Sequence, residues 1–460
     1  MAAAMSDPEK TAQGQMGEAA DHRLGAAQRH FAIAEREAMG LPGIAGAAPA
    51  PVGSVAVVGA GAMGAGIATC FAMAGVPVRL VDLAQDGVDR GLAAVGANFD
   101  GAVAKGKMSG EERVRALRLV SGATDHAQIA GSDLVVEAVF ENLELKRRVF
   151  ADLDRAAKPS AILATNTSYL DIDAIAAATK RPDKVLGLHF FNPAHVMKLL
   201  EIVRGAATSD ESLATGIETA RRLKKTGVVA KSSFGFIGNR LLNAYRTEAL
   251  RLALDGAPVA AIDRAVMDFG MPMGPFGLMD LTGLEVNVKM RAEADPARID
   301  AQAFRIVDRL YGLGRKGRAS GAGFYRYATG ARAPEDDGEV DRMIAEEAKR
   351  GGNARRASLG AAEIADRCML TLVNEGARIL EEGVALKSGD IDVTYIAGYG
   401  FPRSLGGPMY WAEQQGLRDV AARMERYRAA TGADRWRAAP LLATAAARGV
   451  SFDAALDRRA

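Results

Sequence analysis

Cysteine is nearly absent, with only Cys70 and Cys368 in 460 residues. They lie far apart in helical-looking segments, which excludes a disulfide framework or a cysteine-based metal site and fits a reducing cytoplasm. Also missing is any run of about 18 uninterrupted apolar residues, so no membrane span is expected. Neither charge sign dominates: 58 basic and 56 acidic residues leave a net charge of +2. Nucleic acid or an acidic membrane is therefore not expected as the main partner. The first twenty residues carry Asp7, Glu9 and Glu18 and have no apolar core, so they read as a disordered tail rather than a secretion or transit signal. What remains is an ordinary globular composition, 49% apolar and 25% charged, long enough for two to four domains.

Residues 22–39 (HRLGAAQRHFAIAEREAM) read as an amphipathic helix with Phe31, Ile33 and Ala34 on or near one face, stopped by Gly40, Pro42 and Gly43. AGAAPAPVG follows as a linker. A lone helix of this length is marginal in water, so it is expected to dock on something. Residues 54–59 then form a short β-branched strand, Gly59-Ala-Gly61-Ala-Met-Gly64 opens a helix, and VPVRLVD is a strand ending at Asp82. Strand, glycine turn, helix, strand and terminal acid within about 30 residues make a dinucleotide site. Gly59 permits the tight turn, Gly61 lets the backbone approach a pyrophosphate, and Gly64 allows close helix–strand packing. The phosphates would sit at the helix N-terminus. Asp82 would accept hydrogen bonds from the adenosine ribose and repel a 2′-phosphate, which favours NAD over NADP.

Residues 84–122 read as helical, with Lys105 and Lys107 near a glycine turn. A strand at 133–138, a helix from about Asn142 and a strand at 161–165 continue the alternation of a doubly wound parallel sheet. Ligands collect beyond the carboxyl ends of such strands, where Glu141 and Ser168 fall. Ser168 is either a partner for a substrate hydroxyl or the N-cap of the helix in DIDAIAAAT. Residues 185–203 (VLGLHFFNPAHVMKLLEIV) read as two apolar strands around a Pro-containing loop, with His189 in the first and Glu201 in the second. Ionisable groups inside a sheet are costly unless they bond to each other or to a ligand. The pair is either a general-base dyad or a satisfied core histidine beside an edge glutamate.

The sheet domain is expected to close near Ser233. Beyond it the pattern turns helical, with Asn239 in the first turn of FIGNRLLNAYRTEALRLALDG, facing the domain boundary. A Gly/Pro-rich connection follows, then a strand-like GRKGRASGAGFYRY and a linker over 330–340. The run from Ile262 (IDRAVMDFGMPMGPFGLMDLTGL) is echoed from Ile391 (IDVTYIAGYGFPRSLGGPMYWAEQQGL), each after a long helix with a central Glu. Two stacked copies of one helical unit are the simplest architecture. The alignment sets Asn239 opposite roughly Arg367, so the second copy reads as structural.

With GAGAMG, ATNTSYLDI, LHFFNPAHVMKLLEIV, FGFIGNRLL and the doubled unit in order, the chain from about Val55 onward resembles the L-3-hydroxyacyl-CoA dehydrogenases. It is most similar to the dehydrogenase half of the multifunctional fatty-acid β-oxidation enzymes. The resemblance implies a Rossmann-type α/β NAD-binding domain over 51–233 and two tandem all-α helical domains over 234–335 and 336–460. Residues 1–50 are an extension whose helix is similar to the linker joining hydratase and dehydrogenase halves, too short to hold a hydratase. His189 is implied as general base and Glu201 as its partner, with Ser168 and Asn239 as polar groups at the reacting centre. Gly59, Gly61, Gly64 and Asp82 are implied for NAD, and Glu141 and Lys146 near the nicotinamide.

Three features depart from the family. His195 stands where a second proline is frequent, a basic residue before the SGAGF segment is replaced by Ala319 beside Arg318, and the CoA-contacting Ser and Lys lack clear counterparts, Lys105 and Lys107 being nearest. The implied reaction is NAD-dependent oxidation of an L-3-hydroxyacyl-CoA to the 3-ketoacyl-CoA. Competing readings are another β-hydroxyacid dehydrogenase using Lys224 or Lys225, and an NAD-binding scaffold for a separate hydratase or thiolase. A monomer is favoured, because the second helical copy could occupy the surface through which single-copy relatives dimerise.

Overall fold

The computed structural model describes residues 24–40, 44, 46–296, 299–328 and 333–457. The expectations for the first twenty residues lie outside this range. Eight strands form one sheet: β1 (Val55–Val58), β2 (Val78–Val81), β3 (Val120–Ala123), β4 (Leu134–Glu137), β5 (Ile162–Thr165), β6 (Val185–Phe190), β7 (Leu199–Arg204) and β8 (Thr226–Lys231). Their spatial order is β3-β2-β1-β4-β5-β6-β7-β8, parallel throughout except that β6 and β7 run antiparallel. The order reverses between β1 and β4, which is where a doubly wound sheet opens its ligand crevice.

β3 is the strand that the sequence pattern missed within 84–122. The segment holds a helix (Gln85–Ala104), a helix (Gly110–Leu117) and then this four-residue edge strand. VSGA is too short and too polar to alternate, and Gly122 is there because a Cβ would stand 2.2 Å from the Val88 side chain.

Side chains alternate across the sheet. Val57, Leu80, Val136, Leu188 and Ile202 face the helices Ala62–Met73 and Asp210–Arg222 in one core. Ala56, Val135, Leu163, Leu199 and Val203 belong to a second, larger core continuous with all the helices after Gly238. His189 and Glu201 lie on this second face, toward the helical units.

The two helical copies are related by reciprocal contacts. Arg240 of the helix Gly238–Asp255 pairs with Glu375 of the helix Ala361–Glu381 at 2.7 Å, and Arg367 of the latter reaches Glu248 of the former. Gly270 packs against Pro402 and Gly400 against Pro272. Such isologous exchange is the signature of a two-fold interface, here formed inside one chain. It also corrects the alignment by one residue, since Arg240 matches Arg367 and Asn239 matches Asp366.

The repeat itself has a physical cause. Asp263 accepts the N–H groups of Phe276 and Gly277 at the start of the helix Pro275–Thr282, and Asp392 accepts those of Met409 and Tyr410 at the start of Pro408–Gln415. Each carboxylate satisfies orphan donors of a helix start. Gly274 and Gly407 precede the prolines because a Cβ at either would lie within 2.5 Å of the aspartate. The third partner differs between copies: Asp263 takes the Tyr325 hydroxyl at 2.9 Å, whereas Asp392 takes His30 Nε2 at 2.8 Å from the N-terminal helix over 24–37.

That helix therefore docks on its own chain. Phe31 is buried beneath Arg403, Glu35 accepts from Thr226 at the β8 edge, and Lys387 pairs with Glu37. The GRKGRASGAGFYRY segment is a 3₁₀ turn with isolated bridges rather than a strand, because Gly317 and Gly321 take positive φ and the Phe324 and Tyr325 N–H groups go to the Asp280 carboxylate. Within 330–340, residues 330–332 lie outside the described range and a helix begins at Gly338.

Candidate functional site

Gly59 follows β1 at φ +100° and Gly64 packs onto it, a Cβ there standing 1.8 Å from the Gly59 carbonyl oxygen. A Cβ at Gly61 would meet nothing within 4 Å, so open space lies over the helix N-terminus where a pyrophosphate needs it. Beyond the turn lies a groove of about 540 Å³ lined by Gly59, Gly61, Asp82, Arg90, Ala138 and Phe140. Asp82 accepts the Ala60 and Leu83 N–H groups, which holds its carboxylate at the groove. Arg90, whose guanidinium lines the groove, is paired to Asp86 at 2.6 Å. Shape, phosphate cradle and acid together fit a bound NAD.

His189 and Glu201 are directly opposed in the antiparallel β6–β7 pair, which places both side chains on one face. The His189 Nδ1 to Glu201 Oε2 distance is 2.7 Å. Glu201 is fully buried, and its Oε1 accepts the Ile237 and Gly238 N–H groups at 3.1 and 2.9 Å. The carboxylate thus joins the histidine to the start of the helix Gly238–Asp255. With Nδ1 committed, Nε2 is the ring nitrogen left for proton transfer. Phe191 and Phe236 flank the ring at centroid distances of 4.5 and 5.7 Å. Phe236 holds φ +49°, a left-handed backbone kept by full burial, which places strain beside the dyad.

Asn239 donates from Nδ2 to the Ser168 carbonyl oxygen at 3.2 Å and accepts from the Tyr399 hydroxyl at 3.1 Å. Ser168 is not the helix N-cap. Asp171 caps that helix, and the Ser168 hydroxyl has no partner among the described residues. Ser168 is held instead through its backbone, its N–H donating to Glu141 Oε1 at 2.8 Å, with Tyr169 N–H and the Thr167 hydroxyl on the same oxygen. Lys146 is fully buried between Glu137 at 2.7 Å and Glu141 at 3.5 Å. It reaches the site through Glu141, not by direct exposure. Glu137, also fully buried, accepts Thr165 and the Val139 N–H.

A cleft of about 580 Å³ begins at Tyr169, Phe234 and Asn239 and runs between the two long helices past Thr371 and Glu375. His195 is half-buried in the loop after β6 with Nδ1 unpartnered, and burial, then Lys225 and Lys105, hold its pKa below the usual histidine range. Among the described residues it has no carboxylate partner. Lys225 spends its ammonium on the Ala194 and Met197 carbonyls, and Lys224 closes a helix at φ +53°, so neither is placed as an acid/base.

Two contributors were not foreseen. Tyr399 comes from the second helical copy, which thereby reaches Asn239. Asn166, whose side chain accepts the Phe190 N–H at 2.8 Å, ties the end of β5 to the histidine strand. Only the latter had a signal in the sequence, as a polar residue at a strand end.

A dinucleotide groove at the switch point, with a His–Glu pair on β6 and β7 of the same sheet, defines a dehydrogenase of the two-domain α/β–helical kind. The chain matches the NAD binding domain of 3-hydroxyacyl-CoA dehydrogenase over residues 54–233 and the C-terminal domain of that family over 235–327 and again over 364–451. It is 40% identical to the peroxisomal bifunctional enzyme of Cavia porcellus over 396 residues, 83% of this chain and 54% of that one, and 39% identical to the Homo sapiens enzyme over 391 residues. Among solved structures it is similar to 3-hydroxybutyryl-CoA dehydrogenase from Escherichia coli, with a TM-score of 0.76 at 30% identity covering 87% of this chain and 99% of that one. The dehydrogenase part of multifunctional enzyme 1 from C. elegans gives a TM-score of 0.65 at 29% identity, covering 87% and 91%. The chain belongs to the 3-hydroxyacyl-CoA dehydrogenase family, and its Rossmann-type sheet is that family's NAD-binding domain. It spans about half the length of the curated relatives it matches, 54% of each. No helix among the described residues is long and apolar enough to cross a membrane.

Proposed function

We propose that this chain oxidises the 3-hydroxyl of an L-3-hydroxyacyl-CoA to the 3-ketone. NAD, when bound, supplies the hydride acceptor. His189 takes the hydroxyl proton at Nε2, and Glu201 stabilises the imidazolium that results. Ser168, through its unspent hydroxyl, and Asn239, through its amide, orient the C3 oxygen. Gly59, Gly61 and Gly64 admit the pyrophosphate, Asp82 takes the ribose, and Glu141, braced by Lys146, shapes the nicotinamide end. The observation that carries this reading is the buried 2.7 Å contact between His189 Nδ1 and Glu201.

The test is NADH consumption with acetoacetyl-CoA, run beside NADPH and beside His189→Gln. Expected are NADH-selective turnover in the wild type and a loss of about two to four powers of ten in the variant, with NADH affinity retained. Wild-type-like turnover in the variant overturns the assignment.

The same reading divides the chain near residues 50, 233 and 335 and takes it as a monomer, since the reciprocal Arg–Glu contacts already complete a two-fold interface; its mass by light scattering tests this. A separate hydratase or thiolase would bind elsewhere than on the Ala27, Phe31 and Ala34 side of the N-terminal helix, which the chain covers itself, whereas Ile33 is exposed. Two free, buried cysteines fit the cytoplasm as location.

A further inference from the structure

We propose that Tyr399 of the second helical copy is a positioning residue for Asn239, so that the reacting centre is complete only when both copies are docked. The inference rests on the dehydrogenase reading above. A carbonyl oxygen can only accept, so the Ser168 carbonyl at 3.2 Å fixes which end of the Asn239 amide is Nδ2. Oδ1 must then face the Tyr399 hydroxyl at 3.1 Å, and the phenol donates to it. Between them the two bonds lock the amide against a flip and leave one N–H of Nδ2 unspent for a ligand oxygen.

The surroundings are built for this contact. Gly238 precedes Asn239, and a Cβ there would lie 3.0 Å from the Tyr399 ring and hydroxyl, so glycine admits the tyrosine. The Tyr399 ring stacks on Tyr395 at 5.0 Å and meets Phe191 edge-on at 5.8 Å, the same Phe191 that flanks His189. Burial raises the phenol's pKa well above its ordinary value, which keeps it a donor. In the first copy the residue before the matching glycine is Phe269, which has no hydroxyl, so the contact belongs to one copy only.

The test is a double-mutant cycle of Tyr399→Phe and Asn239→Ala on the full chain, reading kcat, KM for acetoacetyl-CoA and the thermal midpoint. Tyr395→Phe is the control, because the buried Tyr395 hydroxyl has no hydrogen-bond partner among the described residues. Tyr399→Phe is expected to lower kcat roughly three- to tenfold, the range of one hydrogen bond, with KM within about twofold. In the Asn239→Ala background the same change is expected to add almost nothing. Unchanged kcat in Tyr399→Phe overturns the proposal, and so does an equal fold-loss with and without Asn239, which would mark a packing role. Wild-type kcat in Asn239→Ala overturns it as well. His189→Gln, which leaves Tyr399 untouched, separates each of these results from failure of the dehydrogenase reading.

Discussion

Glu201→Gln is the substitution that tests the dyad most directly, because the structure dictates how the amide must sit. Glu201 Oε1 accepts two buried backbone N–H groups, from Ile237 and Gly238. In the variant the amide oxygen has to stay there, since turning it away would strand two donors at about 1–3 kcal/mol each. The NH₂ group then faces His189 Nδ1, which becomes an acceptor, and the ring proton moves to Nε2. The nitrogen that should take the substrate proton is blocked, and the imidazolium loses its charged partner. A hydrogen bond to a charged group contributes about 1.5–3 kcal/mol, or roughly ten- to 150-fold in rate. Loss of the correct tautomer extends the expected drop in kcat to about two to four powers of ten. The assay is the initial rate of NADH consumption with saturating acetoacetyl-CoA, beside an unfolding curve. Because all the buried backbone donors remain satisfied, stability should stay within about 1 kcal/mol of the wild type. A folded variant within about fivefold of wild-type kcat would refute the reasoning.

Asp82→Asn removes the charge that repels a 2′-phosphate, so NADH should bind roughly tenfold more weakly and the preference over NADPH should narrow, measured by titration of each cofactor. Gly274→Ala and Gly407→Ala drive a Cβ into Asp263 and Asp392, respectively, and should each destabilise by about 1–3 kcal/mol or more, read from denaturant midpoints. Asp390 is buried, and that burial pushes its pKa up to about 7 despite hydrogen bonds from the Leu386 and Lys387 N–H groups. The folded state therefore binds the proton more tightly than the unfolded one. This contribution is full below about pH 4 and is lost as pH rises through 7, by at most about 4 kcal/mol. Asp390→Asn keeps the acceptor without the charge, and its unfolding midpoint should vary less with pH across that window. His30→Ala leaves the buried Asp392 with backbone partners alone and should cost about 1–3 kcal/mol, seen as a lower thermal midpoint.

The dyad was legible because it is local: His189 and Glu201 are twelve residues apart across one antiparallel turn, and the pairing follows from strand register. The glycine turn and Asp82 were legible for the same reason. β3 was not, since four residues containing Ser and Gly carry no alternation and are held only by pairing with β2. Tyr399 and His30 were invisible in a different way. Each meets its partner across 160 and 362 residues, and nothing in the neighbouring sequence encodes that meeting. The internal repeat told of two copies, but the one-residue error in matching Asn239 to Arg367 was resolved only by the reciprocal arginine–glutamate pairs.

The histidine that closes Asp392 arrives from the front of the chain, whereas Tyr325 closes Asp263 from within its own unit. The N-terminal helix is thus a borrowed part of the last unit as much as a neighbour of the sheet. Gly227 and Gly389 let it press against both, through Met39 and Ala34. Mechanically it acts as a tie bar: a pull on the helix is delivered to the second helical copy through His30 and Glu37 and to the β8 edge through Glu35 together.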